Sequence, residues 1–511
     1  MYWCKIARTE AEFAEIAKLN YSTFVEEIPQ HERDDSGMRI DSFHKENTYL
    51  IVLADTALVG MIALRSERPF SLDRKIGPVE EHLDNPGKLC EIRLLAVRKE
   101  HRNGRIFFLL ARALSDYCCE QGFDAAVISG TTREMKLYGQ LGFLPFAEPV
   151  GTGEAVFVPM VTTRTAYAQS VAARLQAKRR LFLPGPVRLT GEVSLPFTED
   201  PMSHRSSTFQ AIYQEVKGNL TELSHSSSYL LSGSGTLANE AMLAQISRLD
   251  ERGLILANGE FGMRLIKQAN RWGLKFDTME EHWGDGFSEN KIEKLLETGR
   301  YDWLLMVHGE TSTGMLNGLD TISGLCDKYQ VKLSVDCISS FGAVPFSLEK
   351  CWLATAVSGK AIGTMSGLAI VFADHEISED MSLPSYLDLG RYQNNIPFTL
   401  PFGLLKSFAA ALKQYPERYQ LLENRFAAMK QGISDWPLLA EGFPTALSVK
   451  AEGQFKDFPE DAHLSGFELH FQSGYLREHG IFQISCIQPD FDKDWAALQK
   501  FYTKYFEYQL Q

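Results

Sequence analysis

Beyond Leu181 the chain alternates amphipathic helical stretches with short apolar runs: LILA at 254–257, WLLMV at 303–307, KLSVD at 332–336 and LAIVF at 368–372. A strand that is apolar on both faces must be covered on both faces, and helices returning between such strands form βαβ units. Residues 181–511 are therefore expected to be an α/β body with a mostly parallel sheet, ending in a smaller α+β lobe from about residue 412. Residues 1–162 read as a separate α/β unit, with strands at TYLIVL (48–53) and LVGMIAL (58–64) and a helix from Ile106 to Gln121. Between the two, residues 163–180, containing TAYAQSVAARLQAKRR, are helix-favouring and basic at their end, and read as a linker.

Composition narrows the function. A length of 511 residues suits two or three domains. With 52 Lys+Arg against 65 Asp+Glu the net charge is −13, which disfavours a general grip on nucleic acid or anionic lipid and points to small-molecule chemistry. The eight cysteines lack the paired spacings of a metal site, so reduced thiols, no metal and a cytoplasmic location are expected. No run approaches the roughly 18 apolar residues of a membrane span, and the N-terminus has no leader pattern.

Three segments carry chemistry in the larger part. In GSGTLANEAM (233–242) small residues open a helix, where backbone N–H groups can meet an anion; Ser234, Gly235 and Thr236 are the phosphate-binding candidates. In SVDCISSFGAVPF, Asp336 ends a strand, and in AVSGKAIGTMSGLAIVF, Lys360 sits among small residues. Separately these read as a tight turn, a loop cap and a surface charge. Together they supply what pyridoxal phosphate needs: an anion site, a carboxylate for the ring nitrogen and an amine for a Schiff base.

With PGPVRLT (184–190), NGEFGMR (258–264), HGETSTGMLN (308–317) and SGK (358–360) in the same order, this part resembles class V aminotransferases, most closely the 2-aminoethylphosphonate:pyruvate and alanine:glyoxylate transaminases. The resemblance implies a fold type I enzyme acting on an amino donor and an oxo acceptor, and a homodimer. It makes Lys360 the Schiff-base lysine and proton shuttle and Asp336 the partner of the pyridine nitrogen. By the same resemblance Phe261 stacks on the ring, Thr311 lies near the ring hydroxyl and Ser358 contacts the phosphate. Tyr392, in RYQNNIP, would reach the neighbouring subunit's cofactor, with Asn395 where a threonine is usual. Where the family carries a substrate-binding arginine, the strand IFQISCI has Gln483; Arg205, Arg264 or Arg391 could supply the charge instead, or the substrates differ. A PLP lyase or desulfurase on the same fold would need a nucleophilic cysteine such as Cys337 or Cys351.

In the first part, CEIRLLAVRKEHRNGRIFFLLARALSDYCCEQGFDAAV (90–127) gives a strand, a basic turn and a long helix, followed by REMKLYGQLGF (133–143). Such a turn can offer N–H groups and arginine to a diphosphate. This order resembles the GNAT N-acyltransferases, which implies Tyr138 as general acid toward a leaving thiolate and Arg102, Asn103, Gly104 and Arg105 as the acyl-donor turn. The turn keeps a single glycine, out of the usual register. LNYSTFVEEIPQHE, Asp41-Ser-Phe-His and the Glu91-Ile-Arg93 pair are similar to the autoinducer-synthase and N-acyl-amino-acid-synthase branch, whose donor can be acyl carrier protein. Glu91 would then be base or orienter for an amine and Arg93 its partner, or the two form a simple ion pair. The expectation is a bifunctional transaminase and N-acyltransferase using acyl-CoA or acyl carrier protein; the rival is a transaminase whose first domain binds an acyl donor without catalysis.

Overall fold

Strand-forming residues near the N-terminus assemble into a seven-stranded sheet, in the order Tyr2–Ile6, Asn47–Ala54, Ala57–Arg65, Leu89–Val97, Ala125–Thr131, Phe157–Thr163 and Leu144–Pro145. The computed structural model of the chain describes every residue except 29–31, 103, 152–155, 175–177 and 511. All neighbours in this sheet run antiparallel except Leu89–Val97 and Ala125–Thr131, which are parallel and pair only over Leu89–Glu91 and Ala125–Val127. Beyond that point Leu89–Val97 is bulged. Between the pairs Met61/Ala96 and Ala63/Arg93, Leu94 and Leu95 stand opposite the single residue Ile62, and Leu94 takes a φ of +53°. An extra residue on one strand breaks the ladder locally and turns backbone groups out of it.

The helix Arg105–Glu120 lays Ile106, Leu110, Ala113 and Leu114 into the core of this unit. Its approach requires Gly60, where a Cβ would stand 2.7 Å from Ile106 Cγ2.

The chain divides into two compact units, residues 1–180 with 457–468 and 497–511, and residues 181–456 with 469–496. This corrects the expected boundary in two respects. Residues 163–180 are no free linker: they form the helices Arg164–Ala168 and Val171–Arg174, with Arg164 Nε donating to the Phe123 carbonyl at 2.6 Å and Tyr167 Oη to that of Ala111 at 3.2 Å. Nor does all of 181–511 form one body. Asp461 is buried and accepts from Arg8 Nη1 at 2.9 Å and Tyr505 Oη at 3.1 Å, while Ser465 exchanges hydrogen bonds of 2.9 and 2.8 Å with the backbone of Cys4. Trp3 packs edge-on against Phe501, with ring centroids 5.8 Å apart.

The second unit holds a seven-stranded sheet in the order Lys275–Glu280, Arg252–Ala257, Trp303–Val307, Lys332–Asp336, Leu353–Val357, Gly367–Ala373 and Ser227–Gly233. The first five strands are parallel, and Gly367–Ala373 runs antiparallel to both its neighbours. Separate apolar clusters form on its residues, one around Leu254, Leu304, Leu333 and Ala354, the other around Ile255, Trp303, Leu305 and Leu353. Both faces of the central strands are thus covered, as their unbroken apolar runs require. Among the described residues, no helix is long and apolar enough to cross a membrane.

Replacing Asp461 by Ala leaves Arg8 without its fully buried partner. Arg8 keeps Glu460 at 2.6 Å, while the buried Tyr505 hydroxyl loses its acceptor; such a loss costs about 2 kcal/mol, to be read from urea unfolding of the full chain followed by tryptophan fluorescence.

Candidate active sites

In an open α/β sheet, ligands gather where the carboxyl ends of parallel strands meet loops and helix N-termini. Here Asp336 closes Lys332–Asp336, His308 follows Trp303–Val307, Ser358 follows Leu353–Val357 and Asn258 follows Arg252–Ala257. Lys360 enters at the same edge, in the turn that precedes the antiparallel strand Gly367–Ala373. It has a φ of +58°, a left-handed conformation that costs a lysine about 1–3 kcal/mol and is kept only where surroundings impose it. A Cβ at Gly185, in the PGPVR segment, would stand 3.5 Å from Lys360 Cδ.

Asp336 is 5% exposed. Its Oδ2 accepts from Asn239 Nδ2 at 2.7 Å and its Oδ1 from the Ile338 N–H at 2.9 Å, while Thr355 Oγ1 donates to Asn239 Oδ1 at 2.7 Å and so fixes the amide's orientation. Burial raises the Asp336 pKa, opposed by these hydrogen bonds and by the charges of Lys360 and Arg264. Burial lowers Lys360 to about 8; the Asp336 charge opposes the shift and Arg264 reinforces it. Asn239 was not singled out in the sequence, although it lies within GSGTLANEAM.

The anion site is open. Ser234 precedes the helix Gly235–Ile246 and makes no side-chain capping bond, and both Ser234 and Thr236 are exposed. Gly235 is required by packing, because a Cβ there would lie 2.8 Å from Ile338 Cδ1. Phe261 stands in the first turn of the helix Glu260–Arg271, with the Arg264 guanidinium 4.8 Å from its ring centre and Tyr475 at 6.2 Å. That helix start is held by Glu310, fully buried, whose Oε2 accepts from the N–H groups of Phe261 at 3.1 Å and Gly262 at 2.9 Å. Glu310 is a second residue the sequence reading passed over. A carboxylate fixed by Asn239, a lysine of lowered pKa and a free helix N-terminus fit the three groups of pyridoxal phosphate.

Other expected residues are already engaged within the chain. Thr311 Oγ1 donates to Ser339 Oγ, and Ser358 Oγ donates to the Met365 carbonyl at 2.6 Å while accepting from the Leu368 N–H at 3.2 Å. Tyr392 is buried with its hydroxyl on the Tyr386 carbonyl at 2.9 Å, and Asn395 is exposed. Gln483 is fully buried: Nε2 donates to the carbonyls of Thr311 and Ser312 and to Ser448 Oγ, and Oε1 lies 2.8 Å from His470 Nδ1. Its amide has no capacity left for a substrate acid. Of the three candidate arginines, Arg205 is exposed, Arg391 lies over Phe398, and Arg264 is the one whose charge reaches both Lys360 and Asp336. Cys337 and Cys351 are buried and held protonated, Cys351 pushed up to about 12, so neither is poised as a desulfurase nucleophile.

In the first unit, Gly104 caps the helix Arg105–Glu120 in the left-handed region with φ +81°, with open space beside it. Arg102 is drawn away from that helix start, pairing with Glu27 at 2.7 Å and donating to the Val97 carbonyl at 2.9 Å. Arg105 is exposed, and Asn103 lies outside the described residues. Tyr138 Oη accepts from the Thr131 N–H at 3.4 Å, at the end of Ala125–Thr131. Glu91 is buried and accepts from the N–H groups of Ser71 at 2.8 Å and Leu72 at 3.1 Å and from the Ser71 hydroxyl, with Arg93 Nε at 3.9 Å. Its carboxylate caps a turn. Arg93 is committed to Asp41 at 2.9 Å.

A family model described as an acetyltransferase (GNAT) domain matches residues 19–112. The chain is 30% identical over 252 residues to the soluble hydrogenase 42 kDa subunit of Anabaena cylindrica, covering 46% of this chain and 66% of that protein. It is 26% identical over 353 residues to the 2-aminoethylphosphonate–pyruvate transaminase of Klebsiella pneumoniae, covering 62% of this chain and 95% of that protein. Among solved structures, alanine–glyoxylate aminotransferase from Nostoc sp. aligns with a TM-score of 0.55 at 25% identity, over 62% of this chain and 94% of that one. The chain therefore combines an N-terminal GNAT domain with a fold type I body of the class V aminotransferases. That body resembles the 2-aminoethylphosphonate and alanine–glyoxylate transaminases.

The field at Lys360 is testable. Its reactivity toward acetic anhydride, followed by peptide mass spectrometry across pH, should titrate at about 8. Asp336→Asn removes the charge that favours the ammonium form and moves the midpoint lower, whereas Arg264→Gln moves it higher.

Proposed function

We propose that the second unit transaminates an aldehyde or oxo acid to an amine and that the first unit N-acylates an amine from acyl-CoA or acyl carrier protein. The observation that carries the first half is the buried Asp336, fixed by Asn239 and acting on a lysine whose pKa is lowered to about 8. Pyridoxal phosphate, when bound, supplies an electron sink for negative charge at the carbon bearing the substrate's amine. With its pKa lowered to about 8, Lys360 is far more readily deprotonated than an ordinary lysine, so its Nζ can take a proton from that carbon and return it elsewhere. Asp336 would hold a protonated ring nitrogen, and the helix start at Ser234–Thr236 would hold a phosphate. Phe261, backed by Arg264, offers a face for a planar ring.

Arg264 is the candidate for a substrate's acid group, since the Gln483 amide is saturated. A second copy of the chain is expected to complete the site, on the resemblance to homodimeric transaminases; the exposed Asn395 would then face it, while the Tyr392 hydroxyl serves its own chain.

For the first unit, the unpaired stretch beyond Glu91 and Val127 leaves room for an acyl donor between two strands, with Gly104 opening a helix start toward its diphosphate. Tyr138 Oη is the proton donor to the departing thiolate. Glu91 orients the Ser71–Leu72 turn rather than acting as base, because both its oxygens are occupied.

Borohydride reduction of the full chain incubated with pyridoxal phosphate should place a pyridoxyl mass on the Lys360 peptide; no such mass in the wild type sinks the transaminase reading, and Lys360→Ala is the control. Acyl transfer to an amine panel, read by mass spectrometry, should fall about 100-fold in kcat in Tyr138→Phe with KM for the amine unchanged. If neither acyl-CoA nor acyl carrier protein yields product in the wild type, the first unit is not a catalyst.

A further inference from the structure

Lys360 has a left-handed backbone, and such a turn persists only if its surroundings hold it. The side chains that hold it come from the start of the helix Glu417–Gly432 and the residues just before it. The carbonyl of Ala361, next in the chain after Lys360, accepts from Arg418 Nε at 2.8 Å and from Tyr415 Oη at 3.3 Å. Arg418 Nη2 donates to the Ile487 carbonyl at 3.3 Å. A planar guanidinium presents its donors in a rigid fork, so binding two carbonyls on separate segments fixes one against the other. Among the described residues Arg418 makes no ion pair, and its donors serve backbone rather than a carboxylate.

Tyr415 reaches the other half of the site. Its hydroxyl donates to the Gly342 carbonyl at 2.7 Å, the shorter of its two bonds. Gly342 lies in the turn that follows Asp336, whose carboxylate holds the Ile338 N–H of the same turn. With a φ of +78° Gly342 comes directly against the Lys360 turn: a Cβ there would stand 2.6 Å from both Ile362 Cδ1 and Tyr415 Oη. One hydroxyl therefore meets the turn after Asp336 and the turn of Lys360 together. Burial raises the Tyr415 pKa, so the hydroxyl keeps its proton and remains a donor. Its ring is set edge-on against Tyr419, with centroids 4.8 Å apart. Ala361, Ala343, Leu422 and Ile487 share one apolar cluster, so the same segments also meet through packing.

We propose that Tyr415 and Arg418 are positioning residues for the transamination, which clamp the turn of Lys360 against the turn of Asp336. Their part in catalysis rests on the transaminase reading; the clamp on Lys360 does not. Both act through backbone carbonyls, so what they set is where the amine and the carboxylate stand. With the clamp in place the amine is kept from water, in keeping with its pKa of about 8. Loosened, the turn relaxes out of the left-handed region and water reaches the amine, which moves it back toward an ordinary lysine.

The test reads Lys360 in the full chain without cofactor, by the pH dependence of its acetylation. In Tyr415→Phe, which keeps the ring, the midpoint should rise from about 8 by up to about one pH unit, the worth of one hydrogen bond. Arg418→Lys, which keeps the cation and loses the fork, should raise it as well. Neither substitution changes a charge, so a rise reports geometry. Thermal unfolding checks that each variant folds, and labelling of the exposed Lys350 in the same digest is the internal reference. A merely structural role lowers the unfolding temperature and leaves the Lys360 midpoint at about 8 in both variants, and that result overturns the clamp. A rise in one variant alone assigns the role to that residue and removes the other; if one variant does not fold, the other decides. Borohydride reduction with pyridoxal phosphate separates the two readings. A pyridoxyl mass on wild-type Lys360 with unmoved midpoints sinks the clamp and leaves the transaminase. Moved midpoints with no pyridoxyl mass in the wild type uphold the clamp and remove the transaminase reading.

Discussion

The hydrogen-bonded series Thr355, Asn239, Asp336 is what the chemistry of the second unit depends on. It joins a strand, the helix Gly235–Ile246 and the neighbouring strand at their functional ends, with bonds of 2.7 Å at each step. The Asp336 carboxylate can only accept, so the Asn239 amide must turn its nitrogen to it, and the Thr355 hydroxyl then donates to the amide oxygen. The carboxylate is thereby held in place even though burial works against its charge. The same helix whose interior residue fixes the carboxylate also carries the candidate anion site at its N-terminus, so a ligand's ring nitrogen and phosphate would be registered against one rigid element.

The charge around this site is uneven: Gln483 is neutral and Arg264 is cationic. Gln483 occupies a strand position where a cation would face two backbone carbonyls, Ser448 and His470, and a neutral amide satisfies that set completely. His470 is itself disfavoured as a cation by burial. Arg264 remains on the opposite helix, over Phe261 and only 3.7 Å from the half-exposed Glu260.

Much of this was legible in the sequence because its signals were local. WLLMV at 303–307 and KLSVD at 332–336 are strands over those residues, and Ile106–Gln121 is a helix shifted by one position. Lys360, Asp336 and Ser234–Thr236 are recognisable by residue type and order. Long-range pairings were not legible. Nothing local says that Asp461 answers Arg8, or that Phe501 and Tyr505 in the last helix find Trp3, so residues 457–468 and 497–511 were assigned to the wrong unit. Lys275–Glu280 is half-exposed and carries Asp277 and Glu280, so it lacks the apolar run that marks a buried strand. Asn239 and Glu310 read as ordinary helix and loop residues until their partners are known.

Hydrogen-bond saturation separates scaffold from site in both units. Glu91 and Glu310 are buried carboxylates with every near donor spent on them, one closing the turn at Ser71–Leu72 and the other the helix start at Phe261. Such groups gain nothing from a ligand and lose hydrogen bonds if they move, so their role is to hold backbone in place. The helix start at Ser234 is the reverse: it is held by its strand and helix, yet no side chain caps it. An uncapped helix start offers N–H donors suited to an anion.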